Sequence, residues 1–420
     1  MGMFLCKPPS AEAMSSAFDD GFFFAIIGYE ISTGRSTVDS SNIGIDSHRV
    51  ALVHDWLTGM RGGEKILEVL CELFPDATLF SLLHNEGKMS PVIERMKIKT
   101  SFMQHLPFKA TKYRNYLPVM PLAIESLDVS EFDLVFSISS AVAKGAIPRR
   151  DAIHICCCLS PMRYLWDQYR EYFGKGQAGA VTRSAMAVVA PYLRRWDVRT
   201  SGRVHHFIAI SRTVEERIAR IYHRDADLIY PPVSTDLFSV SEKDDGYYLV
   251  VSALVPYKRV DLAIEAFNAW GEKLLIAGSG PEKGKLEKMA GRNVEFLGWQ
   301  SNENLIDLYA GCRALIFPGV EDFGIVPLEA MASGKPVVAL GAGGALETVI
   351  ADGENATGVF FHEQSPAALL HAVKSLSART YDPYRIRRHA ERFDRNVYKR
   401  HVAEYLQDRI SQSRDRRKKI

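Results

Sequence analysis

From Arg49 onward, short apolar runs ending in glycine or polar residues alternate with stretches of helical spacing, and the alternation occurs twice. The first series contains RVALVHDWL, DATLFSLL, FDLVFSISS, AIHICCCL and VHHFIAIS. The second contains GYYLVVSALV, EKLLIAGSG, NVEFLGW, ALIFPGV and KPVVALGAG. Runs apolar throughout, rather than at alternate positions, suit strands buried on both faces of a parallel sheet. Helices must then cover both faces, so the expected fold class is α/β, with two tandem Rossmann-like, doubly wound domains facing a cleft. Between the series lies LIYPPVSTDLF, whose paired prolines continue neither a helix nor a central strand. The expected division is therefore 49–230, 231–395 and a C-terminal helix with basic tail, 396–420, packing back on the first domain. With 420 residues, two cores of roughly 150–200 residues each are the natural partition.

Residues 1–48 break the pattern. GFFFAIIGYEI is apolar but well short of the ~20 residues that span a bilayer, and Asp19 and Asp20 stand where a secretory signal needs basic residues. The segment is read as a poorly ordered N-terminal extension, with a start codon misplaced upstream of Arg49 as one explanation. An apolar fraction of 47%, a charged fraction of 24% and a net charge of +2 describe a globular chain and give no sign of nucleic-acid binding. Basic residues do cluster at 194–203 and 414–419. Solvated helix faces and a frayed terminus are the plainer reading of these clusters; contact with an anionic membrane surface is the sharper one. The six cysteines include the consecutive Cys156–Cys158 and no C-x-x-C pair, which argues against zinc and for a reducing cytoplasm.

PGVEDFGIVPLEAMASGKPVV (318–338) carries the chemistry. Glu321 falls in the loop after a strand, and Glu329 in the opening turns of the next helix. Gly324 permits a tight turn and Pro327 suits a first helical turn. Unbonded N–H groups at that helix start attract anions, while two carboxylates accept hydrogen bonds from hydroxyls. A ligand with a diphosphate and vicinal hydroxyls on either side fits both. A single helix-capping glutamate would explain either acid alone. In LLIAGSGPEKG, Gly278 and Gly280 make room for a nucleotide or simply for a turn. The sequence lacks the third glycine of a dinucleotide fingerprint. Gly62 and Gly63 follow the first strand, where backbone can approach a ligand closely, and Asp55 ends that strand. The D-x-D of RDAD (224–227) reads as solvated loop, and no required metal is expected.

The form E-x7-E in EDFGIVPLEAMASGKPVVALGAGGALETV resembles the signature of retaining glycosyltransferases of the GT-B architecture. HDWLTGMRGGEKILE, SPMRYLWD, YPPVSTDLF and VPYKRVDLAIEAF extend the likeness from about Arg49 to about Leu406, toward a bacterial branch that builds O-antigen and exopolysaccharide. Many members of that branch are mannosyltransferases. The resemblance implies that Glu329 holds ribose hydroxyls and Glu321 the donor sugar. Phe323, Gly324 and Ile325 would offer backbone N–H groups, and Lys258 would lie on the diphosphate. It also implies that the Gly62–Gly63 loop, with Asp55 and Arg163, serves the diphosphate and acceptor. GDP-mannose is the favoured donor, no cofactor is needed, and a glycan or lipid-linked acceptor is the partner. The expected location is cytoplasmic or peripheral at the inner membrane.

Two positions depart from the family pattern. Leu159 stands where the family has a histidine, and Ala253 where it has an arginine; Arg259 is a candidate replacement for the missing cation. These departures leave open a non-catalytic relative that binds nucleotide sugar or glycan in an assembly complex. A nucleotide-sugar epimerase would need an acid/base constellation that the sequence does not display.

Overall fold

The computed structural model describes residues 48–174 and 179–418, with side chains to residue 412. The extension read at 1–48 lies, His48 aside, outside the described residues. Seven parallel strands form the first sheet: β1 (Val50–His54), β2 (Thr78–Ser81), β3 (Lys97–Thr100), β4 (Leu134–Ser139), β5 (Ile153–Cys158), β6 (His206–Ala209) and β7 (Ala226–Leu228). Their spatial order is β3-β2-β1-β4-β5-β6-β7. The second sheet holds β8 (Tyr248–Val251), β9 (Leu274–Ala277), β10 (Val294–Gly298), β11 (Leu315–Phe317), β12 (Val337–Leu340) and β13 (Gly358–Phe361). Its order is β10-β9-β8-β11-β12-β13.

Both orders reverse direction once, between β1 and β4 and between β8 and β11. Ligands in such sheets bind beyond the strand carboxyl ends at this reversal, because the crossing loops part there. The loops that matter are thus those after β1, β4, β8 and β11.

Central strands bury every residue, as their continuous apolar runs require. Cys156, Cys157 and Cys158 lie side by side in β5, all buried, and burial pushes the Cys156 thiol up to about 12. Sheet edges differ. β3 reads KIKT, with burial alternating along the strand, and β7 has three half-buried residues. Neither was expected from the sequence, nor was β13. The second half of the D-x-D segment, Ala226 and Asp227, is therefore edge strand, while Asp225 is exposed in the loop before it. Asp227 on β7 accepts hydrogen bonds from the Tyr405 hydroxyl (2.7 Å) and Arg409 (3.0 Å), which leaves it a structural role.

Six helices carry the rest of the argument: α1 (Gly62–Leu73), α2 (Ala180–Ser201), α3 (Arg212–Tyr222), α4 (Asn302–Gly311), α5 (Ile325–Ala332) and α6 (Arg395–Lys418). The backbone of α6 runs through the basic tail to Lys418. It lies on the first domain, where Tyr398, Val402, Ala403, Leu406 and Ile410 are buried and Arg395 grips Glu68 (2.8 Å) and Glu72 (2.7 Å) of α1. The chain thus crosses between domains twice. The two crossings are hydrogen-bonded to each other: Val233 N–H donates to Phe393 C=O and Arg395 N–H to Val233 C=O, each at 2.9 Å. Among the described residues, no helix is long and apolar enough to cross a membrane.

Candidate active site

The loop from β11 to α5 lies across the second sheet's reversal from the turn after β8. Gly319 permits the approach, because a Cβ there would stand 2.8 Å from the Lys258 Cα. Lys258, at the end of the short 3-10 turn Pro256–Lys258, is buried, and its ammonium contacts the Glu321 carboxylate directly. Burial, then the neighbouring Arg163 charge, pull Lys258 well below the usual lysine range, and Asp322 opposes them. Glu321 is itself only 5% exposed. A buried cation and a buried carboxylate have been brought into contact by two loops that diverge from the same crevice.

Gly324 begins α5 with φ +103°, a backbone conformation that favours glycine. The following N–H groups precede the helix's first internal bonds, as at any helix start. Phe323 turns its ring away from solvent into an aromatic cluster with Tyr230 (5.5 Å) and Phe393 (5.7 Å). Behind the loop, Gly344 N–H donates to the Glu321 carbonyl (2.9 Å), and a Cβ on Gly344 would collide with the Phe323 backbone. The GAGG segment is thus a brace for the glutamate loop.

Glu329 is buried on α5 with both oxygens engaged. Tyr309 of α4 donates to one (2.9 Å), and Lys65 of α1 to the other (2.9 Å). Lys65 belongs to the first domain, so this pair closes the cleft. A second closure lies beside it. Asp322 takes the Arg217 guanidinium from α3 and Arg163 at 3.3 Å. Burial works against the Arg163 charge, but Asp322, Tyr257 and Tyr172 outweigh it and hold its pKa up. Further along, both Glu347 oxygens accept from the Arg212 N–H at 3.0 Å.

The start of α1 faces the start of α5: a Cβ on Gly62 would lie 3.3 Å from Ile325. One on Gly63 would lie 2.7 Å from the Leu159 side chain and 3.3 Å from His54. Leu159 therefore fills the space next to the glycine loop with hydrocarbon. Beneath it, His54 and Glu64 form a buried pair at 3.2 Å.

Three expected site residues are placed differently. Asp55 accepts five hydrogen bonds from the loop after β4: from the N–H and hydroxyl of Ser140 and the N–H groups of Ala141, Val142 and Ala143. Both its oxygens are filled, so it organises the first domain's crevice instead of meeting an acceptor. The Arg259 guanidinium forks onto Asp261 at 3.0 Å in the first turn of its own helix, so it does not replace the cation absent at Ala253. Ala253 itself is buried. Gly280 abuts the Leu254 backbone, where a Cβ would stand 2.7 Å from its nitrogen; it serves the approach of two loops.

Gly278 lines a shallow recess with Ser252, Ser279, Trp299, Gln300 and Leu305. A narrow seam adjoins it at Leu305 and is lined by Phe238, Tyr309 and Glu329. Nothing in the sequence marks Lys65, Tyr309, Asp322 or Arg217 as site residues. Each is an ordinary helix or loop residue until the fold sets it against its partner.

Residues 235–400 match the family described as Glycosyl transferases group 1. Among curated proteins, the chain is 30% identical over 148 residues to the O-antigen chain mannosyltransferase RfbU of Salmonella typhimurium, covering 32% of this chain and 42% of that one. It is 29% identical over 194 residues to human alpha-1,3/1,6-mannosyltransferase ALG2, covering 38% and 46%. The chain spans less than half the length of these relatives. Among solved structures it resembles sucrose-phosphate synthase from Thermosynechococcus elongatus (TM-score 0.63, 17% identity, 87% of this chain and 100% of that one). It also resembles Anabaena HepE in complex with UDP (TM-score 0.61, 16% identity, 86% and 100%). The fold is the two-domain GT-B arrangement of these glycosyltransferases.

Proposed function

We propose that the protein is a retaining glycosyltransferase that moves a sugar, mannose from GDP-mannose, to a polysaccharide or lipid-linked glycan. The observation that carries the reading is the buried Lys258–Glu321 contact at the second sheet's reversal, on the same loop and helix that present Glu329. The match of residues 235–400 and the mannosyltransferases among the relatives support the donor class. HepE, solved with UDP, supports a nucleoside diphosphate in this fold.

In this reading the base occupies the recess beside Gly278 and Trp299. The ribose hydroxyls reach Glu329 through the adjoining seam, taking the place of Lys65. Lys258 and the first N–H groups of α5 lie on the diphosphate, where negative charge grows as the glycosidic bond breaks; charge stabilised only as it develops accelerates the step. Glu321 accepts from donor-sugar hydroxyls and holds the Lys258 side chain against the diphosphate. The acceptor approaches from the Gly62–Gly63 side, on the same face as the departing phosphate, which takes its proton. The sugar passes through an oxocarbenium-like state with its configuration retained. No metal or cofactor has a part in this scheme.

Leu159 against Gly63 and the buried Ala253 favour a second reading, a relative that binds donor without turnover. A thermal-shift screen of nucleotide sugars, followed by transfer assays with the stabilising one, separates the two. GDP-mannose raising the melting temperature and then being consumed supports the enzyme. Stabilisation without turnover, relieved in Leu159→His/Ala253→Arg, supports the binder. If no nucleotide sugar shifts the melting temperature, both fail.

A further inference from the structure

A fully buried ion pair lies behind the first domain's wall of the cleft. Lys144 belongs to the 3-10 turn Ala143–Gly145, directly after the loop that Asp55 holds, and is 1% exposed. Asp197 lies on the inward face of α2 and is 0% exposed. Their charged groups meet at 2.6 Å. Asp197 also accepts from the Trp166 ring N–H (2.8 Å) and from the Tyr222 hydroxyl (3.1 Å). The rings of Trp196 and Tyr222 cover the ammonium, each centred 5.1 Å away. Gly145 admits the first of these rings, since a Cβ there would collide with it.

Burying two charges is a poor route to stability, because apolar side chains of similar volume often serve as well or better. What the pair supplies is direction, and each partner of Asp197 leads to the cleft. Trp166 closes a turn in which its backbone N–H donates to the Arg163 carbonyl (3.2 Å), and Arg163 reaches Asp322 of the second domain. Tyr222 ends α3, the helix that presents Arg217 to the same Asp322. Lys144 continues from the loop whose N–H groups converge on Asp55 at the first sheet's reversal. One carboxylate thus ties together the three first-domain segments that face the second domain here.

We infer that Asp197, neutralised by Lys144, is a positioning residue for the proposed transfer: it sets Arg163 and Arg217 at the spacing that receives Asp322, and with them the closed cleft in which acceptor meets donor. The inference rests on the proposed function for the reaction, and on geometry alone for the hold on Asp322. Small displacements matter in such a place, because a shift of about 1 Å away from the chemistry can cost 10²-fold in rate.

Two full-length variants test it, neither with an unpaired buried charge. Lys144→Met/Asp197→Leu is apolar throughout, whereas Lys144→Met/Asp197→Asn keeps an oxygen for Trp166 and Tyr222. In urea titrations, Asp322→Asn is made in wild type and in both variants. Losses at distant, independent sites add. The loss from Asp322→Asn should instead shrink to less than about half in the Met/Leu protein and return in the Met/Asn protein, a pattern that a pair serving only packing would not produce. In transfer assays, kcat should fall about 10²-fold in the Met/Leu protein and recover in the Met/Asn protein. Donor KM should stay unchanged, since Lys258, Glu321 and Glu329 belong to the second domain. Additive losses from Asp322→Asn, or a Met/Leu protein with wild-type kcat, would overturn the inference. Wild-type protein that transfers no sugar would overturn the proposed function, and the urea cycle would still decide whether Asp197 governs the hold on Asp322.

Discussion

Glu321 and Glu329 stand on one loop and helix but hold unlike partners, a lysine of their own domain and a lysine of the other. The difference sets two expectations. Glu321→Gln keeps the shape and removes the carboxylate that positions Lys258; sugar transfer should fall about 10²–10³-fold, the usual cost of one displaced transition-state stabiliser, with the fold intact by circular dichroism. Lys65→Ala leaves the buried Glu329 charge with only Tyr309. Breaking one side of a buried pair costs ~3–5 kcal/mol, so the melting temperature should drop. If ribose hydroxyls take the position Lys65 occupied, saturating GDP-mannose should restore more stability to Lys65→Ala than it adds to wild type. Equal ligand-induced shifts in the two proteins would remove Glu329 from the ribose.

At the scale of elements, α6 and β5 deserve separate expectations. Five apolar side chains of α6 are buried against the first domain, and the larger ones, Val402, Leu406 and Ile410, contribute roughly 1.5–3 kcal/mol each when removed from water. Their sum approaches the whole stability of a typical domain. A chain ending at Asp394 should therefore be insoluble or lack cooperative unfolding in a denaturant titration. In β5, His154 is fully buried between the Ser137 hydroxyl (2.9 Å) and the Arg203 carbonyl (3.2 Å), and burial depresses its pKa to about 3. Its unfolded value is near 6.5, so the unfolded chain binds the proton first. The stability it contributes is complete above that pH and is lost as pH falls from about 6.5 toward 3, by about 2 kcal/mol at pH 5. Burial lowers His205 and His389 too. Urea titrations at pH 7 and pH 5 should show the loss, and His154→Gln should reduce it, leaving the smaller share of His205 and His389. The elements themselves were unequally legible in sequence. Central strands announce themselves because burial on both faces demands unbroken apolar runs. β3 and β7 do not, since an edge strand with polar residues resembles a loop. β13, four residues after a turn-rich stretch, is too short for periodicity to single out. The glutamates stood out as acids in an apolar run, whereas Lys65, Asp322 and Arg217 become site residues only through contacts distant in sequence. Asp55 was conspicuous at a strand end, but its role is to hold a neighbouring loop, which the chain order cannot display.

Across the whole molecule, Lys65–Glu329 and the Arg163/Arg217–Asp322 cluster hold the halves together. A donor that must reach Glu329 has to part them. Replacing Lys65 with Met and Asp322 with Asn together should enlarge the radius of gyration in small-angle X-ray scattering, and nucleotide sugar should contract it again; an unchanged radius would mean that other contacts hold the halves closed. What shape that opening takes follows from the paired crossings at Val233 and Phe393–Arg395. Two adjacent covalent pins, stitched to one another, resist sliding and twisting far more than swinging. The halves should move like a door on one jamb, so that a single measured distance at the far rim would report the entire motion.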